Sequence, residues 1–339
     1  MTRIPYTRSD TRPRAAVVAA AAAVAALLGA CGAPPSAPGA APATSAGASP
    51  SPTSVGPRLP AKPVLLDLAG RLTDTPADQT SGGYLHTTRV NIYRDITYPQ
   101  TNGAESPLVV MAHQLWRSPA GDKGRELSAR YDNGRCTPGD DSTWNDKRYQ
   151  ERFRPRVTAD INRLRSLLSS GAGRTPAKPV DVLAGIAAAY EDDVIEKPVR
   201  AAMLQILADQ PGLYARTAAT DELGRTGILL GLPYVDAQGV KADYHLLLDP
   251  RTGTLLSTHE TITPPLPATF DPLLGADAAM SVIASHDGTR LYLHNRYTPD
   301  TTATPVGCAS PDTDTVSDLS RMLAASPPPW GVLAAGGRA

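Results

Sequence analysis

The chain has 339 residues, with 33 Lys plus Arg against 33 Asp plus Glu. That length permits one large or two modest domains. Removing residues 1–30 takes away four arginines and one aspartate, leaving 29 basic and 32 acidic residues. A general nucleic-acid binder would be basic, so that class is disfavoured.

The N-terminus carries the clearest chemistry. Arg3, Arg8, Arg12 and Arg14 precede the uninterrupted apolar run Ala15–Leu28, which ends in Leu28-Gly29-Ala30-Cys31. A charged segment followed by an apolar run too short for a comfortable membrane span reads as a secretory signal, residues 1–30. Its end resembles the bacterial lipobox. That resemblance implies cleavage before Cys31, lipidation of its thiol and tethering to the outer face of the cell membrane. No Arg-Arg pair is present, which points to general secretion. Residues 31–62 are Ala-, Pro- and Ser-rich, with Arg58 and Lys62 their only charges. Such a segment cannot bury enough apolar surface to offset its ordering entropy, and is expected to be a disordered tether.

A globular domain is expected over 63–300. Val64, Leu65, Leu68 and Leu72 recur at helical spacing behind Pro63. Tyr84–Arg94 and Leu108–Trp116 read as strands, Glu126–Tyr131 as a third, and Asn133–Ser142 as a polar loop. Three helices follow. One is centred on Ile161–Leu168 and a second on Val182–Tyr190. The third opens at Pro198, with Val199, Ala202, Met203, Ile206 and Leu207 on one face and a stop at Pro211-Gly212. From Leu213 the period changes to two. Strands at about 213–220, 226–235, 243–249 and 254–263 have connections too short for crossovers, so they form an antiparallel meander.

The turn Asp249-Pro250-Arg251-Thr252-Gly253 is the sharpest signal among these. Pro250 presets φ, Asp249 can bond back to turn amides, and Gly253 supplies a positive φ. A further strand is expected at Arg290–Tyr297. Residues 301–339 read as a loosely ordered tail with a short helix at Val316–Leu323. The expected class is α+β: a curved antiparallel sheet, a half-barrel of six to eight strands, with helices from 63–73 and 158–209 on its concave face.

The strand with Gln114-Leu115-Trp116, the helical insert ending in Pro-Gly, the Asp221-Glu222-Leu223-Gly224-Arg225 turn and the Leu-Leu-Leu-Asp-Pro-Arg-Thr-Gly hairpin resemble a group of actinobacterial envelope proteins. Their C-terminal meander is similar to the lipoprotein-carrier (LolA-like) and sigma-factor-regulator sensor superfamily. The resemblance implies an apolar groove for acyl chains or lipidated partners, and carries no binding residue over to this chain.

No nucleophile elbow, His-Glu-x-x-His, Walker loop or dinucleotide glycine pattern occurs. No cofactor and no metal site are expected. Glu191, Asp192, Asp193 and Glu196 could attract Ca²⁺ but read better as a solvated helix face. Asp141–Glu151 lacks the EF-hand glycine and ligand order. The six histidines show no ligand spacing, although His245 and His259 could face each other across the hairpin. Trp116, Trp144 and Phe153 could line a groove or fill a core. With Cys31 lipidated, Cys136 and Cys308 remain as an even pair in an oxidising compartment, and a disulfide between them is expected. The functional expectation is a membrane-tethered, non-enzymatic binding or sensor lipoprotein with an apolar ligand or an envelope-protein partner. The alternatives are a secreted hydrolase of unrecognised type and a protein-docking module without a small ligand.

Overall fold

In the computed structural model, residues 56–79, 83–94, 108–145, 157–170, 178–236, 239–262, 288–298, 308 and 312–325 are described. Cys31, most of the tether, Phe153 and His286 lie outside them. The strands are β1 (Leu59–Pro60), β2 (Tyr84–Arg94), β3 (Leu108–Arg117), β4 (Lys123–Asp132), β5 (Arg135–Asn145), β6 (Tyr214–Thr220), β7 (Thr226–Val235), β8 (Lys241–Leu248), β9 (Leu255–Ile262) and β10 (Gly288–Thr298). The helices are α1 (Ala61–Gly70), α2 (Pro76–Gln79), α3 (Ile161–Ser170), α4 (Pro179–Asp192), α5 (Lys197–Ala208) and α6 (Thr313–Ala325).

All ten strands join one open antiparallel sheet in the order β1-β6-β7-β8-β9-β10-β2-β3-β4-β5. Two meanders therefore meet at β10. Its first residues pair with β9, Leu291 opposite Ser257, and its whole length pairs with β2. A register shift between Tyr292 and His294 falls where β9 drops away. The sheet has ten strands where six to eight were expected. One addition is β1, in the expected tether; another is β5, in the expected polar loop. The signal for β5 was present: Asn133 (φ 46°) and Gly134 (φ 80°) form the two-residue turn that hairpins favour. Polar, exposed residues hid it, because β5 is an edge strand with almost no apolar face.

Alternation sends each strand's side chains to two different layers. On one face, Ile228, Leu230, Leu232, Leu246, Leu248 and Leu255 pack against Leu65, Leu68, Leu164, Leu183, Ile186, Leu204 and Ile206 of α1, α3, α4 and α5. On the other face, Val90, Ile92, Val110, Ala129, Tyr131 and Leu291 pack against Val316, Leu319 and Leu323 of α6. The short helix expected in the tail thus extends over Thr313–Ala325 and completes a second core.

The Asp249–Gly253 turn forms as expected, and the helices dock onto it. Asp249 Oδ1 accepts from Arg251 N and Thr252 N, at 2.9 and 2.8 Å. Gly253 has φ +66°, and a Cβ there would lie 2.8 Å from Leu72 Cδ2. Arg200, 1% exposed, donates to Thr252 O (2.8 Å), Ile195 O (2.7 Å) and Asp78 Oδ2 (2.8 Å). One guanidinium therefore ties α5, the segment after α1 and the hairpin turn together. It also holds the Asp78 carboxyl at a pKa of about 2, with hydrogen bonds outweighing the burial that pushes the other way.

Candidate functional site

Beyond the last turn of α4, the helix layer stops and the sheet faces a polar cleft of about 130 Å³. Period-two alternation puts Thr87 and Arg89 of β2 on this face, with Leu115 and His113 of β3 opposite them and Glu126 of β4 opposite Leu115. The end of α4 adds Glu191 and Asp192. Glu191 accepts from Arg89 Nη1 at 2.8 Å through one oxygen and from Arg290 Nη1 at 2.6 Å through the other. Thr87 Oγ1 donates to Glu191 O at 3.2 Å. Two cations on one carboxylate leave this triad with a net positive charge. His113 has no hydrogen-bond partner among the described residues, and its pKa is lowered first by burial and then by Arg89. The imidazole therefore stands neutral beside the triad. The hydroxyl in the lining is engaged by a backbone carbonyl, so among the described residues the cleft offers preorganised donors and acceptors and no paired nucleophile and base.

The acidic cluster is a solvated face only in part, since Glu196 is exposed while Asp193 is buried and Glu191 is paired. Glu191 is paired as above. Asp193 is 3% exposed and accepts from Val157 N at 3.0 Å and Val194 N at 2.9 Å. Glu196 accepts from Tyr297 Oη at 3.3 Å. These carboxylates tie the α4–α5 junction to α3's approach and to β10. The partners of Glu191 and Glu196 are about a hundred residues distant, which is why spacing alone could not find them. Arg89 and His113 were likewise missed, and the detectable signal was modest: two basic residues on strands whose alternation aims them at the helix side.

His245 and His259 do face each other across the β8–β9 hairpin, with ring centroids 6.1 Å apart and planes within 13°. They lie on the face opposite the helix layer, inside a polar row across the sheet. Tyr214 Oη meets His245 Nε2 at 3.2 Å, His259 Nδ1 meets Thr289 Oγ1 at 2.7 Å, and Thr289 Oγ1 donates to Glu222 Oε1 at 3.1 Å. Because Thr289 has a single proton and gives it to Glu222, His259 carries its proton on Nδ1. Burial, helped by His245, holds the His259 pKa near 3, and burial pushes Glu222 up. Among the described residues, no three His, Cys, Asp or Glu side chains are grouped to hold a metal.

On that same face, at the other meander, His86 stacks on Trp116, centroids 4.4 Å apart and planes within 8°. Thr88 Oγ1 lies 3.2 Å from His86 Nε2. His294 Nε2 meets Asp312 Oδ1 at 2.9 Å, joining β10 to the start of α6. Trp116 therefore fills the sheet's polar end instead of lining an apolar groove, while Trp144 packs over Gly124 and donates to Gly121 O at 3.4 Å. Cys136 opens β5 and Cys308 precedes α6; their Sγ atoms are 2.05 Å apart, at bonding distance, with Cα atoms 5.7 Å apart.

Among the described residues no helix is long and apolar enough to cross a membrane. No protein-family model matches the chain, and neither a curated protein nor a solved structure shows significant similarity to it.

Proposed function

We propose that this protein is a membrane-tethered extracytoplasmic binding module that performs no chemical turnover and takes a small polar ligand in the cleft beside α4. The observation that carries the reading is the cleft itself. Its charges are fixed in position by one another, Arg89 and Arg290 on Glu191, before any ligand arrives. Preorganised polar groups lower the cost of binding. An acyl chain would require an apolar lining, so the ligand suggested by the LolA-like resemblance fits this cleft poorly. The kinship itself rests on turn motifs, and we retain it for the sheet: a half-barrel with α1, α3, α4 and α5 on its concave face. Register shifts in four ladders support that curvature, since each bulge adds local twist. The tether follows from the lipobox at Cys31 and the composition of the segment behind it.

The test uses the full chain purified from membranes in a non-ionic detergent. Thermal shift against a panel of amino acids, sugars and organic acids should find a stabilising ligand whose effect disappears in Arg89→Ala. A co-purified acyl lipid in native mass spectrometry would overturn the polar-ligand reading. Turnover of an ester or glycoside, abolished by one His or Asp substitution, would move the protein to the enzyme class. Cys31→Ala should shift the protein from the membrane fraction to the medium or leave it uncleaved. Wild-type protein that is already wholly soluble outside the cell would overturn the tether.

A further inference from the structure

The face covered by α6 carries a second polar feature, independent of the cleft. Arg296 of β10 pairs with His86 of β2, and His86 pairs with Trp116 of β3, so three side chains stand side by side on one face. Cross-strand neighbours of this kind have Cβ atoms about 5 Å apart. His86 and Trp116 are 1% and 0% exposed. Each of the three has a buried polar atom without a hydrogen-bond partner among the described residues: Arg296 Nε, His86 Nδ1 and Trp116 Nε1. Buried polar groups are ordinarily paired, and an orphaned one is costly, so three in a single cross-strand row call for a common acceptor.

The chemistry of the three converges. Arg Nε–H and Trp Nε1–H can only donate. When Thr88 donates to His86 Nε2, the imidazole proton sits on Nδ1 and becomes a third donor. Charge agrees with this. At the far end of the row, Arg125, opposite Trp116, is answered by both oxygens of Asp141 at 3.0 and 2.7 Å. Arg296 has no such carboxylate among the described residues, and the neighbouring Asp312 is engaged by His294. We propose that Arg296, His86 and Trp116 form a subsite for a small oxyanion, a free or terminal carboxylate or phosphate group. Donors of this kind in a buried setting give charge-assisted hydrogen bonds their full strength. Two residues further along the same face, Thr88 and Gln114 border, with Asp312, a cavity of about 10 Å³. That is room for roughly one water, and none of the three donors lines it.

The experiment is an NMR titration of the full chain, ¹⁵N-labelled in non-ionic detergent micelles, with sodium acetate and separately with inorganic phosphate, at constant ionic strength against chloride. The expected result is a saturable shift of one indole N–H resonance, the one missing in Trp116→Phe, with either or both oxyanions. Response to acetate alone identifies a carboxylate site, and response to phosphate alone a phosphate site. Arg296→Gln should weaken the apparent affinity tenfold or more while its melting temperature stays close to wild type. The proposal is overturned by the absence of a saturable shift with both anions, which would assign the donors to solvent. An equal response to chloride, or unchanged affinity in Arg296→Gln, overturns it as well.

Discussion

The two meanders of this sheet are stabilised by different means. The β6–β9 meander lies against four helices, and the buried charge that docks them, Arg200 of α5, finds an acceptor for every direction in which it donates. The β2–β5 meander is covered on one face by α6, held there by Ser320 on Tyr131 O and by the cysteine pair just ahead of the helix, while His294–Asp312 fastens the start of α6 to β10. It also carries the polar cleft on one face and the orphaned donors on the other. A fully satisfied buried network favours rigidity, whereas unsatisfied polar atoms mark the part of a fold given over to something besides stability. Under the proposed function, the first meander serves as scaffold and the second carries recognition.

The strongest way to break the comparison is at Arg200. Arg200→Leu leaves Asp78 buried without its cation, and breaking a buried pair from one side costs roughly 3–5 kcal/mol. Urea denaturation should show that loss over the whole domain. A drop confined to α5 by hydrogen exchange would mean the hub is local.

Next in size is the cysteine pair, which we expect to be oxidised. Closing a loop of 172 residues stabilises a fold by at most about 5 kcal/mol and commonly by roughly 2–4. Cys136→Ser should melt lower and expose α6 to protease before the β6–β9 meander is touched. Non-reducing, denaturing alkylation of the full chain should label neither Cys136 nor Cys308. Labelling of both would remove the bridge from the account.

Acid sharpens the comparison, because each meander holds one strongly depressed histidine. Burial is the chief cause for both, and the folded pKa values of His86 and His259 are near 3. A pKa lowered by folding contributes stability that is present above the unfolded value of 6.5 and lost as pH falls towards 3. By pH 5 that loss is about 2 kcal/mol for each histidine. Glu222, pushed up by burial, works in the opposite direction and returns a part. Asp78 keeps its contribution until the pH drops below its ordinary value of 3.8. Melting curves from pH 7.5 to 5 should therefore fall. His259→Asn and His86→Asn should each flatten that dependence, and a flat wild-type profile would mean that the two imidazoles are solvated in the folded protein.

The smallest expected effect is at the β4–β5 turn. Gly134→Ala forces a side chain into φ 80° and against Arg321, costing about 1 kcal/mol or somewhat more. The change should loosen β5 and α6 in hydrogen exchange and leave β6–β9 as it was.

Legibility differed between the halves for a physical reason. Helix α5 was readable because its apolar residues recur at helical spacing between Pro198 and Pro211-Gly212, and the β8–β9 turn because Asp249, Pro250 and Gly253 each have a local backbone role. Strand β5 was not, since its Asn-Gly turn was followed by residues with no buried face to reveal their period. The cleft and the Arg296–His86–Trp116 row were invisible for a further reason. Arg89 and Glu191 are 102 residues apart, and Arg296 and His86 stand on strands made neighbours only by the insertion of β10 between the two meanders.

The sequence by itself determined the α+β class, the meander, most helices and the chemistry of the turns, all of which depend on residues within a few positions of one another. Tertiary structure alone decided that the sheet is a single ten-stranded surface, that α6 closes a second core, and which charges meet. Those outcomes depend on strand order and register, and register is chosen by burial summed over the whole sheet rather than by any local signal.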